Sequence, residues 1–441
     1  MKKLRKNAAG IDIGSKDIFI GIEGKDVRSF PTYTADFLKA KDYLLDQGIT
    51  SVAMEATGVY WIALYDILVE GGIDVWLIDG KQTKQVPGRK TDVKDCQWIQ
   101  QLHSHGLLSR CFIPEKDVAT LRGYFRMRED HIRSAAMHVN HMQKALIEMN
   151  IRLTETLSQI HGASGLAMIK AIIEGERDPY KLLSLCHKSV IKNKPELIIK
   201  ALQGHYTEEG VFKLRQAYDA YYFYQGQIME CDAEIEKHLK KTSRFNEDEN
   251  IQKKIESVET RKPIRHNKPD IDHLGGYLLE IFGHKDPTVL PGITDYSWLQ
   301  LYCHTGNDLT VWPTEKQFTS WLGLAPAQHR SGKMNRTRSK KKTGPKTGQI
   351  FRQIALTLIE SKKIALGAFG RKLKAKHGPG VAVKATARKL AVLYWRLMVK
   401  GLEYTEKGIK AYEEKIIMQR EKWLKKAAAE LGLELNYSTS L

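Results

Sequence analysis

The chain is short of the features that mark secreted, membrane or zinc-bound proteins. Its five cysteines (Cys96, Cys111, Cys186, Cys231 and Cys303) are odd in number, widely scattered and without a C-x-x-C pair, so neither a disulfide framework nor a zinc site is indicated. No apolar run approaches the roughly 20 residues that a membrane span needs. The start Met1-Lys2-Lys3-Leu4-Arg5 leads into strand-like sequence instead of a signal-peptide core, and a cytoplasmic protein with no membrane partner is expected. Gly332-Lys333 has no earlier glycine at P-loop spacing, which rejects a nucleotide-binding P-loop. Internal repeats and extended low-complexity tracts are also lacking. Acidic residues are in deficit: 51 Asp and Glu stand against 70 Lys and Arg, a formal net charge of +19 that calls for a polyanionic partner, nucleic acid first. What is present suffices for real cores, with 42% hydrophobic and 9% aromatic residues, and 441 residues predict two or three folded units.

Gly10-Ile11-Asp12-Ile13-Gly14 and residues 18–22 read as β-branched strands joined by a Gly-Ser turn, and residues 27–30 add a third. An amphipathic helix follows from Thr34, closed by Gly48, and residues 49–54 return to strand character with Glu55 at the far end. Residues 59–68 predict a helix, 75–78 a strand and 92–102 another helix, giving the order βββαβαβα.

The acids fall at telling places in this order. Asp12 interrupts an apolar strand, Glu55 ends another, and Asp92 and Asp95 stand three apart on one helix face. A carboxylate in a half-buried strand needs a partner, and a hard divalent cation, Mg²⁺ or Mn²⁺, is a common one. Two such ions about 3.5 to 4 Å apart can drive phosphodiester displacement. The same acids also have a structural account: Asp12 can cap a turn, Glu55 can start a helix, and the Asp pair suits a helix N-terminus. Spacing alone does not choose.

From Val118 a heptad runs through Phe125, Ile132, Val139, Leu146 and Leu153, flanked by Leu121, Ala135, Met142 and Met149 and interrupted at Arg128. A second stretch repeats Leu214, Tyr221, Ile228 and Ile235. These predict a coiled-coil seam whose helices pair with each other or with another protomer; packing within a simple helical bundle has the same periodicity. Residues 244–272, rich in Lys, Glu, Asn and Asp with Pro263 and Pro269, read as a linker.

Leu290-Pro291-Gly292-Ile293 has the look of a helix-hairpin-helix turn whose amides meet a DNA phosphate, although a plain Pro-Gly turn explains it as well. Between Glu315 and Glu360 there is no acid but ten Lys or Arg, which predicts a phosphate-binding surface and steep salt dependence. Ser331, flanked by Arg330 and Lys333, reads as a turn residue on chemistry alone.

Three N-terminal motifs, Gly10 to Lys16, Met54-Glu55-Ala56-Thr57-Gly58-Val59-Tyr60-Trp61 and Lys90-Thr91-Asp92-Val93-Lys94-Asp95, resemble the RuvC-like domain of DEDD-class insertion-sequence transposases, an RNase H-like fold. Trp321-Leu322-Gly323-Leu324-Ala325-Pro326, Ser331-Gly332 and the basic stretch after them resemble the transposase domain of the same bridge-RNA-guided recombinase family. Cys96, Thr294 and Lys333 depart from residues common in the family. The resemblance implies an α/β RNase H-like (RuvC-like) domain over 1–115, a helical coiled-coil region over 116–243, a linker over 244–272, a mainly α-helical basic transposase domain over 273–405 and a helical tail over 406–441. It implies that Asp12, Glu55, Asp92 and Asp95 hold Mg²⁺, with Mn²⁺ able to replace it, and that Ser331 is the nucleophile on DNA. Nucleic-acid contacts are expected at Gly292, Arg330, Lys333, Arg336, Arg338, Lys340, Lys341, Lys342 and Lys346. Donor and target DNA, a structured non-coding bridge RNA and a homo-oligomer, dimer or tetramer, are the implied partners. The alternatives are a metal-dependent Holliday-junction-type endonuclease using water and a non-catalytic architectural DNA-binding protein.

Overall fold

The computed structural model describes residues 3–83, 92–258, 267–326, 328–331, 334–337, 346–362 and 364–401, with short stretches of the tail at 417–418, 421–425 and 427–433. The side chains of residue 92, both strands of the later hairpin and residue 346 are outside that description. The chain forms two compact units, Met1–Ile113 and Pro114–Leu441.

In the first unit, β1 (Ala8–Ile13), β2 (Asp17–Ile22), β3 (Arg28–Pro31), α1 (Thr34–Asp46), β4 (Ser51–Glu55), α2 (Trp61–Glu70), β5 (Asp74–Ile78) and α3 (Asp92–Ser104) follow the expected order. They build one five-stranded sheet, β3-β2-β1-β4-β5. The β1 strand is antiparallel to β2 and parallel to β4, and β4 is parallel to β5. This mixed sheet is compatible with an RNase H-like domain. Because side chains alternate along a strand, its two faces have different cores. Ile11, Ile13, Ile18, Ile20, Val52, Met54, Val75 and Leu77 pack with Phe37, Ala40 and Leu44 of α1 and Leu64 and Leu68 of α2. The opposite face gathers Ala53 and Ile78 with Ile99 of α3.

In the second unit, α4 (Lys116–Glu148) and α10 (Glu208–Thr242) pair antiparallel along their length within the one chain. Lys213 meets Glu148 at one end, and Arg128 meets Asp232 near the middle. The heptad positions Leu121, Phe125, Val139, Met142 and Leu146 are buried as the periodicity predicts. Arg128, the break in that seam, is fully buried: it donates to both Asp232 oxygens and to the Asn267 carbonyl at 2.8 Å. Between the two long helices, α5 (Leu153–Thr156), α6 (Ala163–Ile173), α7 (Pro179–Ser184), α8 (Lys188–Asn193) and α9 (Pro195–Ala201) close over the far end of the pair around Met168, Ile169, Ile172, Leu182 and Ile198. The stretch expected as a linker contains α11 (Glu249–Glu256), capped by Asp248 and burying Ile255 against Gly276; residues 259–266 lie outside the described ones. Asp248 supplies the start signal and Ile255 one apolar anchor, which is too little periodicity to stand out in a polar stretch.

The remaining helices are α12 (Leu274–Ile281), α13 (Asp295–Thr305), α14 (Glu315–Trp321), α15 (Lys346–Glu360), α16 (Ala365–His377) and α17 (Pro379–Lys400), with a 3-10 turn at Pro287–Val289. Their core is aromatic: the Phe318 and Phe351 rings each lie against Tyr394, and Trp395 donates to the Trp312 carbonyl at 3.1 Å. Two strands interrupt the helices, β6 (Gln328–Ser331) and β7 (Met334–Thr337), paired antiparallel with Ser331 opposite Met334.

Candidate active site

Backbone register places the first two acids. Ile11 of β1 pairs with Met54 of β4, so Asp12 and Glu55 are the next residues of neighbouring parallel strands and project to the same face. That face is the one beneath α3, because Gly10, two residues before Asp12, meets the helix directly. A Cβ at Gly10 would run into the Cys96 carbonyl and the Gln100 amide, and one at Gly21 would lie 2.9 Å from the Gln97 nitrogen. Glycine is what lets the helix sit this low. Gln100 and Ser51 then fasten it: Gln100 donates to the Ala8 carbonyl at 3.3 Å, and the Ser51 hydroxyl lies 2.8 Å from His103 Nε2.

Asp95, in the first turn of α3, is half-buried as Asp12 and Glu55 are. Burial pushes the thiol of the adjacent Cys96 up to about 12, and the charges of Asp12 and Asp95 add to the rise. Both carboxylates therefore act on one thiol. The Cys96 Sγ donates to the Val93 carbonyl at 3.2 Å, and its side chain is buried and inert. Glu55 is held by a partner the sequence did not announce: Thr83 donates its hydroxyl to Glu55 Oε2 at 3.1 Å and to the Gly80 carbonyl at 2.9 Å. Gly80 lies so close that any Cβ there would collide with the Glu55 carboxylate. An Asp-Gly pair just past a strand was the available sign, since it marks a tight turn at the strand end where Glu55 stands.

Asp92 opens α3 one turn ahead of Asp95, and its side chain lies outside the described residues. Among the described residues no three His, Cys, Asp or Glu side chains stand close enough together to hold a metal ion. What the sheet brings together is the Asp12–Glu55 pair on adjacent strands, with Asp95 over the same face.

Ser331 ends β6 in the second unit. Arg330 precedes it, and Arg336 lies on β7, where His329 is its pairing partner. Lys333, Arg338, Lys340, Lys341 and Lys342 lie outside the described residues, and Lys346 opens α15. The hairpin was missed in the sequence because both strands are polar; the Gly332-Lys333 pair between two four-residue runs was its signal. Gly292 has φ +81°, a left-handed conformation that favours glycine, and a Cβ there would press on Ile354 and Leu358 of α15. The turn it makes ends at Thr294, which caps α13 in a reciprocal box with Ser297.

Two family models match the chain. A transposase model of the DEDD IS110 type covers residues 9–151, which hold β1, β4 and α3. A second, the transposase IS116/IS110/IS902 family, covers residues 288–369, which hold Gly292, the Ser331 hairpin and α15. No protein of curated function matches at a significant level. These matches define an enzyme that acts on DNA, a transposase. The chain belongs to the IS110-type insertion-sequence transposases.

Proposed function

We propose that this transposase is an RNA-guided DNA recombinase in which Asp12, Glu55, Asp92 and Asp95 hold Mg²⁺ and Ser331 is the nucleophile. The observation that carries the proposal is the side-by-side placement of Asp12 and Glu55 on parallel strands under the first turns of α3. An all-oxygen donor set fits a hard divalent cation and suits neither zinc nor copper. When bound, the metal supplies charge neutralisation at the phosphate and activation of the attacking oxygen. The chain's own residues do the rest. Thr83 keeps Glu55 oriented, and Gly10 keeps α3 and its aspartates low over the sheet.

Ser331 Oγ forms a bond to phosphorus as the bond from phosphorus to a sugar oxygen breaks, and the hydroxyl proton ends on that departing oxygen. One phosphoester replaces another, so a sugar hydroxyl of a second strand can reverse the step, rejoin the DNA and free the serine. Arg330 and Lys333 offset the charge that develops on phosphate, while Arg336, Arg338, Lys340, Lys341, Lys342 and Lys346 neutralise backbone phosphates and Gly292 lends its turn to a further contact. Base pairing with a structured RNA would choose donor and target, leaving the protein to read backbone and shape, in keeping with a diffuse charge of +19. Exchange between two DNAs calls for a homo-oligomer, and the exposed Phe212, Phe223 and Met229 on α10 offer apolar surface for one.

Recombination of donor and target DNA by the purified protein, with and without the element's RNA, tests the proposal. Ser331→Ala and Asp12→Ala are each expected to abolish recombination, as is omission of the RNA. Normal cleavage by Ser331→Ala would make water the nucleophile and the protein a junction endonuclease. Full function of Asp12→Ala and Glu55→Ala without Mg²⁺ would leave only an architectural role.

A further inference from the structure

Several cations described on the last three helices have a partner. Lys374 pairs with Glu360, Arg396 makes a two-pronged bond to Glu315, Arg371 donates to the Ile359 and Ser361 carbonyls, and Lys389 stands over the Phe369 ring at 4.1 Å. Three others cluster. Arg352 of α15 and Lys384 and Arg388 of α17 are half-buried on helices that pack together, close enough for both guanidiniums to act on the Lys384 ammonium. Lys384 and Arg388 are four residues apart and so share a helix face. The Lys384 ammonium is held below its ordinary range by burial and by both guanidiniums, with no described carboxylate acting against them on it. Arg352 reaches the Gly323 carbonyl, at 3.5 Å.

Like charges gathered in a half-buried place repel one another and destabilise the fold until an anion arrives. The class of enzyme says which anion, since Arg352 lies within residues 288–369, the part that matches the transposase family model. We propose that Arg352, Lys384 and Arg388 form a phosphate site for the DNA backbone where α15 and α17 pack. The site adds three residues to the cations already proposed to meet DNA. It rests on the DNA-acting class of the enzyme and leaves open which group is the nucleophile.

The test is binding of fluorescein-labelled duplex DNA carrying an element end by the full-length protein, titrated across a range of salt concentrations. Lys384→Gln and the double variant Arg352→Gln/Arg388→Gln are expected to bind several-fold more weakly. Their salt slope should fall by about 0.9 for each phosphate left without its cation. Lys384→Gln should also melt at a higher temperature than the parent protein, because it relieves repulsion that only DNA otherwise compensates. Unchanged affinity and slope in both variants overturn the proposal, whatever the melting temperature does. Weakened binding of a labelled RNA hairpin, with duplex DNA unaffected, also overturns it and assigns the trio to RNA. Since binding is read without cleavage, failure here is separate from failure of the Ser331 reading, which shows only in strand transfer.

Discussion

The two units carry their proposed functional residues by different physical means. In the first, the acids stand on regular elements, and their positions follow from strand register and from a helix seated on glycine. In the second, Ser331 ends a four-residue polar strand inside a stretch with ten cations and no acid, so charge rather than packing marks the region. The contrast teaches that small packing changes should injure the acid site, whereas the basic region should answer chiefly to salt and to polyanions.

The largest expected effect separates chemistry from folding. Asp12→Asn should reduce recombination to background while leaving the melting temperature within a few degrees of the parent, measured by strand-transfer assay and calorimetry; a large drop in stability would make Asp12 a structural residue. In the second unit the order reverses. Arg128→Ala strands Asp232 and should cost about 3 to 5 kcal/mol in denaturant unfolding. A double replacement, Arg128→Met with Asp232→Leu, should recover most of that cost; if it does not, the Asn267 carbonyl bond is the larger contributor.

A subtler change probes the seat of α3. Gly10→Ala should cost about 1 to 3 kcal/mol by overpacking. Thr294→Ala, which removes the cap of α13, should cost about 1 kcal/mol. Gly10→Ala should depress recombination well beyond its share of destabilisation, because it lifts Asp95 from the Asp12–Glu55 pair. Proportional decreases in the two variants would erase the distinction between the units.

The smallest effect is a pH dependence to which His103 of the first unit contributes. Burial, with the charge of Arg5 adding to it and Asp74 opposing, lowers the His103 imidazole to about 4. Below its unfolded value of about 6.5, the unfolded chain takes up a proton that the folded one refuses. Stability is therefore fully present above that pH and is lost as pH falls through the window toward about 4. Thermal unfolding between pH 7.5 and 4.5 should show this slope, and His103→Gln should lessen it, with His138 and His238, also lowered by burial, keeping the remainder.

Much of the first unit was legible in the sequence. Alternating Ile and Val marked the strands, Phe37 and Leu44 marked a helix face, and an Asp inside Gly10 to Gly14 stood out against its apolar neighbours. Which face each acid occupied was not legible, since that depends on pairing between strands distant in sequence. The heptads likewise announced two long helices without naming their partners, and Arg128 looked like a flaw until Asp232 was found beside it. The β6–β7 hairpin escaped because polar strands show no alternation, and the Arg352, Lys384 and Arg388 trio escaped because only helix packing gathers it.

Mass-spectrometric mapping of the peptide that stays covalently attached to DNA, after the protein, RNA, Mg²⁺ and a nicked donor substrate are quenched in denaturant, tests the central claim most directly. The expected result is a single phosphodiester-linked peptide with the modification on Ser331, missing when Asp12 is replaced by Asn. Cleaved DNA with free ends and no attached peptide, or attachment at a different residue, would contradict it.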